Sequence, residues 1–157
     1  MSTFEIEIRV KDGETQIPED QIVEYAKGTP DRFESYMHLE GLITFVIGDA
    51  RLEIEDTLSY VLPTLALEVL SDLVSEGEIK FILNTSPEKF FFKSDGTTVT
   101  MTGNYLPETL EFRQDDMISA VLEACRRFLI WAEQIWPNIG IADDLTMLNE
   151  VKAELNS

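Results

Sequence analysis

The side chains able to do acid–base, nucleophilic or metal chemistry in this chain are plentiful in only one kind. There is one histidine, His38, and one cysteine, Cys125, against 30 aspartates and glutamates. A Ser-His-Asp hydrolase would therefore have only His38 as its base. Such a site also needs a serine on a sharp strand-to-helix turn, and the sequence holds no Gly-x-Ser-x-Gly elbow. His38 reads instead as a surface or structural residue just before a strand. Cys125 falls on the apolar stripe of a helix, far from either end, where a free cysteine behaves as a small hydrophobe rather than an activated thiolate. A single cysteine also excludes an intramolecular disulfide and a thiolate zinc cluster.

The carboxylates offer more combinations. Glu53, Glu55 and Asp56 could hold a divalent cation, as could Asp115 and Asp116. No Asp-x-Asp-x-Asp-Gly loop with a distant glutamate is present, however. Helix capping accounts for Asp56, and for Asp115 or Asp116, without a metal. The acid pair of a glycosidase is recognised only by its separation in space. Phosphate-binding signatures are missing: there is neither a Gly-x-x-x-x-Gly-Lys-Ser/Thr loop nor a Gly-x-Gly-x-x-Gly turn. No catalytic residue, cofactor or metal ligand is expected from these patterns.

What the acids do establish is a field. With 12 Lys+Arg, the formal charge is −18 over 157 residues. Residues 1–78 carry 18 acids and 5 bases, residues 79–157 carry 12 and 7, and no acidic run is long enough to be a tail. A hydrophobic fraction of 44% is too high for a disordered acidic segment. An acidic face on one globular domain spanning 1–157 is the implied arrangement. Such a surface repels nucleic acid and membranes and attracts basic partners. The one basic doublet, Arg126-Arg127, reads as flanking a helix and pairing with acids such as Glu123. Neither a signal peptide nor a membrane-spanning apolar run is apparent, so a soluble cytoplasmic protein is expected.

The elements that would carry these side chains follow from periodicity. Phe4, Ile6, Ile8 and Val10 alternate with charged residues, the pattern of a half-buried strand. Asp12-Gly13 marks a turn, and Pro18 to Gly28 suits a short helix. Residues 39–47 form an apolar strand, joined through Gly48-Asp49 to a second at 51–55 as a hairpin. Asp56 would cap a helix running to about Ser75, kinked or started at Pro63. Short β-prone runs at 78–83, 89–93, 97–102 and 109–112, with Asp95-Gly96 between the second and third, read as a meander. A long helix from Asp115 or Asp116 to Pro137 and a shorter one from Asp143 to Leu155 complete the chain. The expected fold is α+β: an antiparallel sheet of about six or seven short strands packed by two longer helices, with short N- and C-terminal helices.

Aromatic residues supply the remaining signal. Phe90-Phe91-Phe92 puts alternate rings on opposite faces of one strand, so one ring needs cover beyond a single core. Trp131 and Trp136 cannot both lie centrally on one helical stripe, and Tyr25, Phe33, Tyr36 and Met37 surround an acidic connection. The ordinary account is a sheet covered on both faces, or Trp136 packed against the final helix; the alternative is an aromatic patch rimmed by acids, which is what a protein-binding surface requires: anchors for affinity and charge for steering. The chain therefore reads as a non-enzymatic binding protein for a basic partner, most concretely a small bacterial inhibitor or immunity-type protein that neutralises a nuclease toxin. Candidate partner-binding residues are Glu19, Asp20, Glu24, Glu53, Glu55, Asp56, Tyr36, Phe91 and Trp136. The alternatives are a chaperone-like adaptor, homodimeric through Phe91 or Trp136, and a metal enzyme using clustered carboxylates. A monomer is compatible with the first reading.

Overall fold

The computed structural model describes residues 2–156. Alternation in the first segment produces β1 (Phe4–Asp12), which turns at Gly13 into a short β2 (Thr15–Pro18). Gly13 takes a left-handed conformation (φ 63°) that the two-residue reversal demands and that only glycine adopts without strain. A 3₁₀ turn at Glu19–Gln21 leads into α1 (Ile22–Gly28). Then come β3 (Glu40–Ile47) and β4 (Ala50–Thr57), paired through Gly48-Asp49. These four strands make an antiparallel sheet in the order β2-β1-β3-β4.

The next rod spans Leu58–Glu76. It is α2 (Leu58–Thr64), a π-helical stretch Leu65–Val69, and α3 (Leu70–Glu76). Pro63 lies inside α2 and cannot donate a backbone hydrogen bond. The wider turns just after it are where the ladder departs from regular α geometry. By length and composition this rod could cross a membrane, but Leu58, Val61, Leu62, Leu65, Leu70 and Leu73 are buried in the protein's own core. Its start is packed so closely on β3 that a Cβ at Gly41 would sit 2.6 Å from the Leu58 side chain.

The second half supplies β5 (Glu78–Ile82), β6 (Lys89–Ser94), β7 (Thr98–Gly103) and β8 (Leu110–Arg113), an antiparallel meander in that order. Asp95 tightens the β6–β7 turn by accepting the Thr97 and Thr98 N–H groups, and Gly96 supplies the positive φ. α4 (Gln114–Ile135) follows β8 without a break, and α5 (Ile141–Leu155) ends the chain.

The fold is α+β, with eight strands in two four-stranded sheets rather than six or seven in one. The extra strand is β2, too short to show a period. The division arises because β4 and β5 are separated by the whole Leu58–Glu76 rod. The sheets meet at a parallel bridge between Ser2 and Phe112 and through the ring pairs Phe4–Phe112 and Phe45–Phe90. α4 packs against β1, β8, α1, α2 and α5, and a continuous cluster of buried side chains runs from Phe4 through Phe45, Phe112 and Phe128 to Leu148.

Two capping expectations are corrected. Thr57 rather than Asp56 precedes α2, because β4 continues one residue further and turns the Asp56 side chain inward. α4 starts at Gln114 with Arg113 as its cap, which leaves Asp115 and Asp116 in the first turn, where their charge still favours the helix dipole. Gln114 is held there by its N–H to the Thr97 carbonyl (2.8 Å) and by the Ser94 hydroxyl on its side-chain oxygen.

Candidate partner-binding surfaces

Both sheets bury one face on the helices and leave the other outward. On the first sheet, strand register puts Glu5, Glu7, Arg9 and Lys11 of β1 outward, with Leu42, Thr44 and Val46 of β3 and Arg51, Glu53 and Glu55 of β4. The charges meet across the central strand. Arg9 pairs with Glu53, Lys11 with Glu55 and Arg51 with Glu7, each at 2.5 Å. Every pair is displaced by one register row in the same sense, as strand twist would align them. Beneath these arms Leu42 is only 6% exposed although it belongs to no part of the main core cluster. Thr44 is fully buried there, and its hydroxyl has no partner. Glu53 and Glu55 thus carry ion pairs on this face while staying half-exposed, their basic partners lying 44 residues away in sequence.

Asp56 is a correction of a different kind. It is 1% exposed, so it cannot offer its charge to a partner. One oxygen accepts the Thr57 N–H (2.6 Å) and the other accepts those of Thr85 (3.0 Å) and Ser86 (3.2 Å). The carboxylate thus fastens the β5–β6 connection to the end of β4. Glu88, beside it, has a buried oxygen without a hydrogen-bond partner. Burial raises the Glu88 pKa, and the Asp56 charge adds to the effect against the opposing Ser86 hydrogen bond.

The first connection is also tied inward. Glu19 pairs with Arg127 of α4 (3.1 Å), and Arg127 in turn donates to the Ile6 carbonyl. Asp12 accepts from the Tyr25 hydroxyl (2.6 Å) and from Arg32 (2.8 Å), and both hold its pKa below the usual carboxylate range. Asp20 and Glu24 do stand exposed, Glu24 near Lys27 at 3.8 Å. Tyr36 stacks on Phe128 and meets Trp136 edge-on, each with ring centroids 5.7 Å apart. Trp136 donates to the Phe33 carbonyl (2.8 Å). These two aromatic residues lock the first connection onto α4; neither forms an exposed patch with the acids.

Phe91 is different. It projects from the outer face of the second sheet, 44% exposed, while Phe90 and Phe92 enter the core. No element covers it; Lys80 lies 5.8 Å from its ring centroid, within cation–π range. Register places Lys80 and Thr102 on either side of Phe91, and Glu78 and Thr100 on either side of Lys93. Ile82 at the edge is 49% exposed. A shallow depression of about 510 Å³ lies over Glu78, Lys80, Phe91, Lys93, Thr100 and Thr102.

Further acids, of which Glu68 and Asp72 are expected on the outer side of their helix but not as partner-binding residues, lie on the Leu58–Glu76 rod. Glu68, Asp72 and Glu76 are exposed and spaced four residues apart, so they stack on one side of successive turns. That rod contains no lysine or arginine at all, and none of the three acids is ion-paired among the described residues. Their spacing together with the lack of bases was the available signal.

The remaining chemical groups stay apart. His38 is exposed, with Nδ1 2.8 Å from the Ser35 hydroxyl and no carboxylate hydrogen-bonded to its ring among the described residues. Cys125 is buried, which pushes its thiol up to about 12, with Asp144 adding to the shift. Among the described residues no three histidine, cysteine or acidic side chains gather as metal ligands would. No family model matches this chain, and neither a curated protein nor a solved structure matches it.

Proposed function

We propose that this chain is a non-enzymatic protein-binding domain whose acidic surface receives a basic partner. Its most concrete form is a small cytoplasmic inhibitor of the immunity type, neutralising a cationic toxin such as a nuclease. The observation that carries the reading is the Glu68, Asp72 and Glu76 stripe. Like charges one turn apart cost a helix about 0.2–0.5 kcal/mol per pair. Carboxylates in its last turns also oppose the dipole. A chain that keeps three of them unpaired on a rod without bases gives up stability for surface charge. Asp20 and Glu24 extend the acidic surface elsewhere, as do the ion-paired Glu53 and Glu55, whereas buried Asp56 cannot contribute.

The test compares the wild-type chain with a Glu68→Gln, Asp72→Gln, Glu76→Gln variant as bait in native lysate, eluting with a salt gradient. A basic protein should leave the wild type at moderate salt and be missing from the variant, and it should lose its activity when bound. The variant should also melt higher. Identical captures from both baits would end the basic-partner reading. The runner-up, a homodimeric adaptor, draws on the uncovered ring of Phe91; a mass in solution that rises with concentration would favour it. Tight stoichiometric binding of Mg²⁺, Mn²⁺ or Ca²⁺ in calorimetry would favour a carboxylate metal enzyme over both.

A further inference from the structure

The basic residues are distributed far less evenly than the acids. Seven of the 12 are ion-paired to carboxylates: Arg9, Lys11, Lys27, Arg32, Arg51, Arg126 and Arg127. Of the five left, four share one surface. Lys80, Lys89 and Lys93 project from the outer side of β5 and β6, and Arg113 from the outer side of β8. Glu78 and Glu111 are the acids among the outward positions of these strands. In a chain of net charge −18, this face carries more positive than negative side chains, and Phe91 stands in its middle.

We propose that the outer face of the second sheet is a docking surface for an acidic segment of a partner protein that carries an apolar side chain. Carboxylates of the segment meet Lys80, Lys93 and Lys89, and its apolar residue lies on the Phe91 ring and exposed Ile82. Thr100 and Thr102 of β7 offer hydroxyls between them. Charge complementarity selects this occupant. A second copy docked face to face would set the same four cations against each other. A nucleic-acid strand would bring its phosphates past Glu78 and Glu111, on a body whose remaining surface repels polyanions. A peptide can space its acids to avoid both glutamates. Docking lies on the face rather than by strand addition at β5, because the Tyr60 hydroxyl already occupies the edge carbonyl of Ile82 (3.0 Å). This surface is separate from the Glu68, Asp72 and Glu76 stripe and has the opposite sign, so the two proposals fail independently.

The experiment uses the full chain and a short fluorescein-labelled peptide of glutamate and serine with a central leucine, read by anisotropy. Controls are the same peptide with lysine for glutamate, the same peptide with serine for leucine, and an oligothymidylate of equal length. Saturable binding of the acidic leucine peptide is expected. It should weaken at least about tenfold in a Lys80→Glu, Lys93→Glu variant and several-fold in Phe91→Ser, and it should decline with salt. Backbone amide shifts on titration should concentrate in residues 78–82, 89–94 and 98–103, a readout that needs no variant. The Glu68→Gln, Asp72→Gln, Glu76→Gln chain should bind the peptide undiminished. No binding at millimolar peptide, amide shifts elsewhere, or tighter binding of the oligothymidylate would overturn the proposal. So would a concentration-dependent dimer abolished by Phe91→Ser, since a second copy would then be the occupant.

Discussion

On the outer face of the first sheet, Leu42 and Thr44 of the central strand lie under arms reaching from the strands on both sides, and every arm ends in an ion pair. On the outer face of the second sheet the comparable position belongs to Phe91, whose neighbouring cations form no ion pair among the described residues, although Glu78 stands across from Lys93. Both faces mix charge with an apolar centre. In the first, arginine and lysine stems cover the apolar residue while their heads neutralise glutamates, so the face is closed. In the second, the charges are of one predominant sign, so nothing draws the arms across and the ring stays open. Charge density alone does not make a binding surface; what matters is whether the charges have already found partners within the fold.

The largest expected effect concerns the connection between the two sheets. Asp56→Ala would orphan three N–H groups and release the β5–β6 loop from β4, costing about 3 kcal/mol or more. A denaturation midpoint within 0.5 kcal/mol of wild type would mean that the sheets are not coupled through this carboxylate. Next comes the direct comparison of the two centres. Leu42→Ala should cost about 2–4 kcal/mol, as for a core residue, whereas Phe91→Ser should stay within about 0.5 kcal/mol. Equal losses in urea unfolding would erase the distinction between a closed and an open face.

A smaller effect of opposite sign is expected at Thr44. Thr44→Val removes a buried hydroxyl that has no partner and keeps the shape, so stability should rise by about 1 kcal/mol. A loss would show that the hydroxyl is satisfied beneath the ion pairs. The finest contrast is in pH. The folded pKa of Asp12 is lowered, so its contribution is complete above the unfolded value near 3.9 and is lost as pH falls through the folded one. Asp12→Asn should therefore flatten the acid limb of the stability curve. The folded pKa of Glu88 is raised, so its contribution is present below the unfolded value and is lost as pH rises through the folded one. Glu88→Gln should accordingly stabilise the protein at neutral pH and leave little change under acid conditions. Unfolding free energies measured across the acid range would sharpen or refute both signs.

Much of the fold was legible because local pattern is sufficient for it. Alternation located β1, the Gly48-Asp49 turn located the β3–β4 hairpin, and Pro137 marked where α4 had to end. β2 escaped because four residues are too few to reveal a period. The division into two sheets escaped because strand order is not a local property. At the candidate surfaces the reading was weaker. Phe91 was recognisable from Phe90-Phe91-Phe92, since two neighbours facing the core must turn the middle ring away. Glu53, Glu55 and Asp56 looked alike in sequence, yet two are ion-paired outside and one is buried.

The sequence by itself determined which side chains share a strand face, because a strand turns successive residues to opposite sides whatever surrounds it. It also determined the net charge and therefore the sign of the long-range field. Only the tertiary structure decided which acids are spent inside the molecule. Arg9 meets Glu53, and Lys11 meets Glu55, because β1 and β4 both flank β3. Lys80, Lys89, Lys93 and Arg113 remain available because their sheet brings them together with few acids. An ion pair forms only where two side chains meet within about 4 Å, and the distances that it depends on are set by sheet order and register, not by separation along the chain.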